Sequence, residues 1–255
     1  MLHTHNMIFP SRLLVLVPLM LSTLLLHGRE KHGLTMDNTP LNEPASLGLP
    51  TGFLPQLDCL LSDTLPSKSI LGYTKEGRPV ELYYFPGKRA MQRILITGGV
   101  HGSELSSIAL AETLVAMLGK HDSLQYQVVV VPSLFPDNAA QAKKQPAAIG
   151  TPENIGRYSH AKAPDPNRQM PAIGRPFSPQ RPLDARGRRI EPENQWLLQL
   201  IQQYQPHVIL SLHACHHTPM AGVYADPRTD CNQLALGYET DNAIARNLVR
   251  SIQQQ

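Results

Sequence analysis

The chain has 255 residues, 42% hydrophobic, 17% charged and 5% aromatic, enough for one catalytic-size core with appendages rather than two full domains. That composition excludes collagen-like, fibrous, wholly disordered, coiled-coil and multi-span membrane classes. Lys+Arg 23 against Asp+Glu 20 leaves +3, and the surplus forms no long basic stripe, so no nucleic-acid partner is expected.

In chain order, residues 1–34 come first. Arg12 precedes an uncharged apolar run, Leu13 to Leu26, which closes on His27-Gly28-Arg29-Glu30-Lys31-His32. A spanning helix wants about 18 to 20 apolar residues, and Pro18 interrupts this shorter run. The segment therefore reads as an export signal or, if uncleaved, an N-terminal anchor, outside the fold proper and pointing to a periplasmic or secreted protein. Residues 35–66, rich in Pro, Leu, Asn and Ser without a period, read as a linker. Cys59, Cys215 and Cys231 are an odd number with no C-x-x-C spacing, which supports neither a zinc knuckle nor a dense disulfide framework. A Cys215–Cys231 pair and three free thiols both stay open.

The folded domain is placed at 67–255. Val80 to Phe85 and Arg93 to Thr97 have strand composition, and Pro86-Gly87-Lys88-Arg89 between them predicts a hairpin. From Ser103 to Leu118 the apolar residues recur at helical spacing, and Gln127 to Val131 is an apolar run typical of a buried parallel strand. A second helix is predicted over Pro192 to Tyr204, then a buried strand over His207 to Leu212, and a last helix over Asp241 to Gln255. Strand, helix, strand, long loop, helix, strand predicts an α/β fold, a three-layer α/β/α sandwich on a mixed, largely parallel sheet, with functional residues where strands run into loops.

Two strand ends carry the chemistry. The first runs into Gly98-Gly99-Val100-His101-Gly102-Ser103-Glu104, so an imidazole and a carboxylate stand three residues apart at a strand-to-helix junction, and the glycines are expected to leave room for an ion and a substrate. The second, Val208 to Leu212, ends at His213. Two nitrogens and a carboxylate suit one Zn²⁺ ion with its fourth position open to water, the catalytic rather than the structural pattern. Between these ends lies Asp165-Pro166-Asn167-Arg168-Gln169-Met170-Pro171, where a guanidinium beside an amide suits a substrate carboxylate.

H-G-x-E after a strand, a Phe135-Pro136-Asp137-Asn138 turn after the next strand, D-x-N-R, and S-x-H at a strand end follow the order found in the M14 zinc carboxypeptidases, which this sequence resembles from about Gly72 to Tyr238. Gly72-Tyr73, Gly77-Arg78-Pro79 and Gly237-Tyr238-Glu239-Thr240 resemble the bacterial murein peptide amidases, which cut between γ-D-glutamate and diaminopimelate. The resemblance implies His101, Glu104 and His213 as zinc ligands and Asn167 with Arg168 as binders of the free carboxylate of a small peptide, diaminopimelate-containing in the amidase reading. It implies a cation for the oxyanion, with Lys144 at the expected place and Arg157 the nearest arginine. The family's pattern continues Asn-Phe after D-x-N-R, where this chain has Gln169-Met170.

The resemblance also implies a general-base glutamate on a late strand, which is not found here, Glu239 being the only Glu after His213. The expectation is thus a zinc-dependent peptide or amide hydrolase lacking its C-terminal strands. An acylase of the succinylglutamate desuccinylase and aspartoacylase type, and a non-catalytic zinc- or peptide-binding remnant, are the alternatives. His216 and His217 are expected to line the pocket or the surface rather than bind metal.

Overall fold

The computed structural model of the protein describes residues 13–16, 64–121, 123–172, 175–214, 222–225 and 238–253. Seven strands, β1 (Leu13–Leu16), β2 (Ser67–Tyr73), β3 (Pro79–Phe85), β4 (Gly87–Thr97), β5 (Leu124–Val131), β6 (Val208–Ala214) and β7 (Gly222–Tyr224), form one sheet in the order β2-β3-β5-β4-β6-β1-β7. Pairing at its centre, β5-β4-β6, is parallel, and β2, β3 and β5 pair antiparallel. The helices are α1 (Leu105–Leu118), α2 (Pro136–Lys144), α3 (Pro192–Tyr204) and α4 (Tyr238–Gln253).

The valine run of β5 shows how one sequence feeds two layers. Successive side chains of a strand point to opposite faces. Val129 and Val131 accordingly join Leu95, Val80, Leu82 and Tyr84 in a core completed by Leu197, Leu198, Leu200, Ile201 and Tyr204 of α3. Val128 and Val130 join Phe85, Ile96 and Leu212 under α1, with Ala111 buried and Leu110, Leu114 and Val115 packed alongside. Each fully buried aliphatic side chain contributes about 1.5–3 kcal/mol. The three-layer α/β/α arrangement expected from the sequence follows from this alternation.

The predicted hairpin is not formed. β3 and β4 are separated by β5, and the hairpin joins β2 to β3 instead, across Thr74–Arg78. Only Pro86 lies between β3 and β4, too little for a two-residue turn. The chain instead passes over β5, so close that a Cβ on Gly87 would lie 2.1 Å from the backbone carbon of Tyr126. Leu13–Leu16, at the start of the apolar run, pair with β6 and β7 in the sheet, and the rest of that run lies outside the described residues. An open strand edge accepts a short apolar segment through backbone bonds alone. No helix among the described residues is long and apolar enough to cross a membrane. Cys59, Cys215, Cys231, His216 and His217 lie outside the described residues.

Register then places the site. Thr97 of β4 is level with Val131 of β5 and with Ser211 of β6. His101 follows four residues after one strand's level end and His213 two residues after the other's. Adjacent parallel strands end side by side, so two histidines 112 positions apart in the sequence emerge at one corner of the sheet.

Candidate metal centre and carboxylate-binding turn

Beyond β4 the backbone continues the parallel pairing briefly, with Gly98 N–H donating to Val131 C=O at 2.9 Å, and then breaks toward α1. Glu104 stands at the N-cap position of α1, but its carboxylate does not cap the helix. Ser107 Oγ bonds the Glu104 carbonyl at 2.7 Å instead, which leaves the carboxylate free for the site. The glycines of this corner admit protein rather than ligand: a Cβ on Gly102 would lie 2.3 Å from Ala139 N in α2, and one on Gly98 2.6 Å from Pro132 O. That corrects the expectation that they leave room for an ion and substrate; they let α2 and the β5–α2 loop close against the corner.

His101, Glu104 and His213 are 2%, 5% and 4% exposed. Nδ1 of His101 lies 2.8 Å from one Glu104 oxygen and Nδ1 of His213 2.8 Å from the other, and Ala214 N–H donates to that second oxygen at 3.0 Å. One ligand atom from each residue lies within 4.8 Å of the others, a group able to hold a metal ion. The far nitrogens are held separately, His101 Nε2 at 3.0 Å from Asp165 Oδ1 and His213 Nε2 at 3.1 Å from Ser211 Oγ. Such outer partners fix ring orientation and keep the inner nitrogen available to a cation. Burial disfavours charge on His101, but its bonds to the carboxylates of Asp165 and Glu104 outweigh burial and raise its pKa above the ordinary histidine value. Burial likewise opposes ionisation of Glu104, and the two imidazoles overcome it and hold the carboxyl far below the usual range. A buried carboxylate braced by two imidazoles is the charge arrangement a divalent cation replaces. The donor set, two nitrogens and a carboxylate, fits zinc.

Asp165 also fixes the next part of the site. Its Oδ1 accepts the Asn167 N–H at 2.8 Å, at the start of a 3₁₀ turn over Pro166–Arg168. Asn167 Nδ2 thereby lies 3.3 Å from His101 Nε2, while Arg168 is exposed on the same turn. The two predicted groups of residues are thus contiguous, joined through Asp165, whose part in the site the sequence reading missed although the D-x-N-R motif contains it.

Of the two cations, Lys144 is exposed in the last turn of α2, whereas Arg157 Nη1 lies 3.1 Å from Glu104 Oε1. Arg157, not Lys144, stands at the metal centre. The loop holding it is pinned by Ser103 N–H donating to Gly156 C=O at 2.9 Å, and Gly156 has φ +79° with a Cβ position 2.3 Å from Asn138 O. The side chain of Tyr158 stands edge-on to His101, ring centres 6.1 Å apart.

With this geometry in place, the family model for zinc carboxypeptidases, Peptidase_M14, matches residues 61–253. The chain belongs to that family. None of the curated proteins matches it. Among solved structures it is similar to bovine thrombin-activatable fibrinolysis inhibitor in complex with tick carboxypeptidase inhibitor, at 18% identity and TM-score 0.42, over 60% of this chain and 54% of that one. A metallo-carboxypeptidase from Burkholderia cenocepacia aligns at 19% identity and TM-score 0.42, over 64% and 40%. An aspartoacylase family protein from Mesorhizobium loti aligns at 18% identity and TM-score 0.34, over 56% and 37%. The chain thus spans about half or less of the length of these structures. Zinc, the metal of the zinc carboxypeptidase family, is the ion that the His101, Glu104 and His213 group suits.

Proposed function

We propose that this protein hydrolyses a peptide or amide bond in small peptides that carry a free carboxylate beside the bond. The observation that carries this reading is the joining of two chemistries through Asp165, which holds His101 of the metal group at 3.0 Å and orders the Asn167–Arg168 turn at 2.8 Å. In this reading His101, Glu104 and His213 hold zinc, which when bound supplies Lewis acidity toward a carbonyl and lowers the pKa of water it ligates. Asn167 and Arg168 orient the peptide by its carboxylate through a charge-assisted fork. Arg157, already drawn in by Glu104, faces the negative charge that develops on the carbonyl oxygen. Exposure rises outward, from ligand side chains at 3–5% to Asp165 at 28% and Arg157 at 29%, so the site opens to solvent, and in this reading to a substrate, past these two residues.

Hydrolysis also needs a group that accepts the water's proton and returns it to the leaving amine. Glu239, exposed in the first turn of α4, is the one glutamate after His213 and is the first residue to test for it. The finer reading, a cell-wall peptide with γ-D-glutamyl-diaminopimelate as substrate and an exported enzyme, is supported by the Gly72-Tyr73, Gly77-Arg78-Pro79 and Gly237–Thr240 segments and by the apolar run of residues 13–26.

The test is an assay of zinc-loaded protein on a γ-D-glutamyl-diaminopimelate peptide, the same peptide amidated, and N-acylated amino acids. Faster hydrolysis of the free acid than of its amide is expected. Preference for the N-acyl amino acids would move the protein to the acylase reading. Peptide binding without turnover, even at high enzyme concentration, would make it a binder.

A further inference from the structure

Gln169, where the sequence departs from the family's pattern, is 0% exposed although it sits in a loop directly after Arg168. A buried amide is costly unless its atoms are bonded. Gln169 Nε2 donates to Pro164 C=O at 3.1 Å and to the Glu191 carboxylate, and its Oε1 accepts the Glu191 N–H at 2.8 Å. Glu191 is the N-cap residue of α3, yet its carboxylate makes no capping bond to that helix. One turn along, Asn194, also 0% exposed, donates Nδ2 to Pro166 C=O at 2.9 Å, and its Oδ1 is buried with no partner among the described residues. The Nδ2 bond of Asn194 ties the middle of the turn to α3 at Pro166 C=O, which also receives Gln169 N–H at 3.2 Å. Gln169, Glu191 and Asn194 thus spend their side-chain bonds on holding this turn and joining it to the start of α3 rather than on capping the helix, which points to a positional role.

We propose that Gln169, Glu191 and Asn194 form a positioning lock for the carboxylate-binding turn. The segment 164–169 is held at one end by Asp165 against His101 and at the other by Gln169 and Asn194 against α3. The reach from the metal ligands to Arg168 is thereby fixed, and with it the separation between scissile carbonyl and free carboxylate that a substrate must present. The lock rests on the reading of Asn167 and Arg168 as carboxylate binders, and these three residues touch neither metal ligand nor substrate.

The experiment measures binding of a free-carboxylate peptide and its amide to the zinc-loaded full chain by calorimetry, together with zinc content and Tm. Gln169→Glu sets a carboxylate against Glu191 and is expected to weaken the free-acid peptide about tenfold, leaving the amide and zinc content unchanged. The double variant Gln169→Glu/Glu191→Gln exchanges amide and carboxylate across the Glu191 contact and is expected to recover part of the lost binding, the bond to Pro164 C=O being absent in both variants. Asn194→Ala removes the bond to Pro166 C=O together with the orphaned oxygen and is expected to lower free-acid affinity with amide affinity and zinc content unchanged, a split that a merely structural residue does not give. Wild-type affinity in Gln169→Glu, an equal loss for both peptides, or no recovery of binding in the exchange overturns the lock. Should Gln169→Glu not fold, Asn194→Ala decides alone, and unchanged affinity there overturns it. Arg168→Ala separates the two ideas: equal losses for acid and amide in that variant remove the carboxylate reading itself, whereas loss of the acid alone there, with wild-type discrimination in the lock variants, removes only the lock.

Discussion

The metal corner and the cations around it are built differently. His101, Glu104 and His213 are buried, and each carries outer partners that hold it in one orientation: Asp165 and Asn167 on one ring, Ser211 on the other, and Ala214 N–H on the carboxylate. Arg157 has one ion pair on Glu104 and a long bond to Tyr158 at 3.3 Å, Arg168 is exposed on its turn, and Lys144 is exposed in the last turn of α2. The corner works by geometry fixed before a ligand arrives. The rim works by charge, in a wetter environment where each contact is weaker and easier to exchange. Affinity for metal should therefore respond to small changes at buried atoms, and choice of substrate to changes of charge at the surface.

That contrast is broken most severely at the corner. His213→Ala or His101→Ala is expected to abolish stoichiometric zinc, measured as metal content after desalting, and full zinc content in either variant would refute the assignment. Next in size, Arg157→Ala is expected to lower kcat of the zinc-loaded protein about 10²- to 10³-fold, the range for loss of one oxyanion donor, with Lys144→Ala at the wild-type rate. The reverse ranking would return the role to Lys144. Asp165→Ala should weaken zinc about 10- to 100-fold in a chelator competition and also weaken peptide binding, because the same carboxylate orders Asn167. A change in one property alone would show that corner and rim are not joined through Asp165.

What the sequence made legible follows the same division. Apolar runs that end in Gly-Gly-Val-His and in Ser-Leu-His mark parallel strands and the residues just past them, so the corner could be read from local pattern. Strand neighbours depend on pairing across the whole sheet, and nothing local to Pro86–Arg89 reveals that β5 comes between β3 and β4. Pro136 stands at the first position of α2, so Phe135-Pro136-Asp137-Asn138, expected as a turn, opens a helix, a start that the proline itself signals. Counting residues from that turn favoured Lys144, while the irregular loop in fact returns Arg157 to Glu104, held by a left-handed glycine that spacing does not disclose. Gly72, part of the amidase resemblance, has a packing reason: Trp196 lies over it, 2.4 Å from where a Cβ would stand.

On the rim the expected effects are smaller. Arg168→Ala should weaken a free-carboxylate peptide by about 1.5–3 kcal/mol and its amide hardly at all, as titration of both against zinc-loaded protein would show. Equal losses would mean that Arg168 contributes general surface charge rather than a carboxylate fork.

The smallest effect tests whether burial away from the corner carries a comparable charge cost. Burial, with the nearby carboxylates of Glu191 and Asp137 adding to it, pushes the Glu193 carboxyl in the first turn of α3 up to about 7. An acid whose folded-state pKa is raised stays protonated in the folded chain while the unfolded chain ionises near the ordinary value of about 4.3. Between that pH and about 7 the unfolded state is therefore progressively favoured, and stability falls as pH rises; below the window both states are protonated, and above it both are ionised. Glu193→Gln keeps the shape and removes the ionisation. Its Tm should match wild type near pH 4, gain on it as pH rises through the window, and keep a constant lead above it, with about 2–4 °C for each kcal/mol in a domain of this size. A lead already present at pH 4 would mean that the amide improves packing and that Glu193 carries no charge penalty.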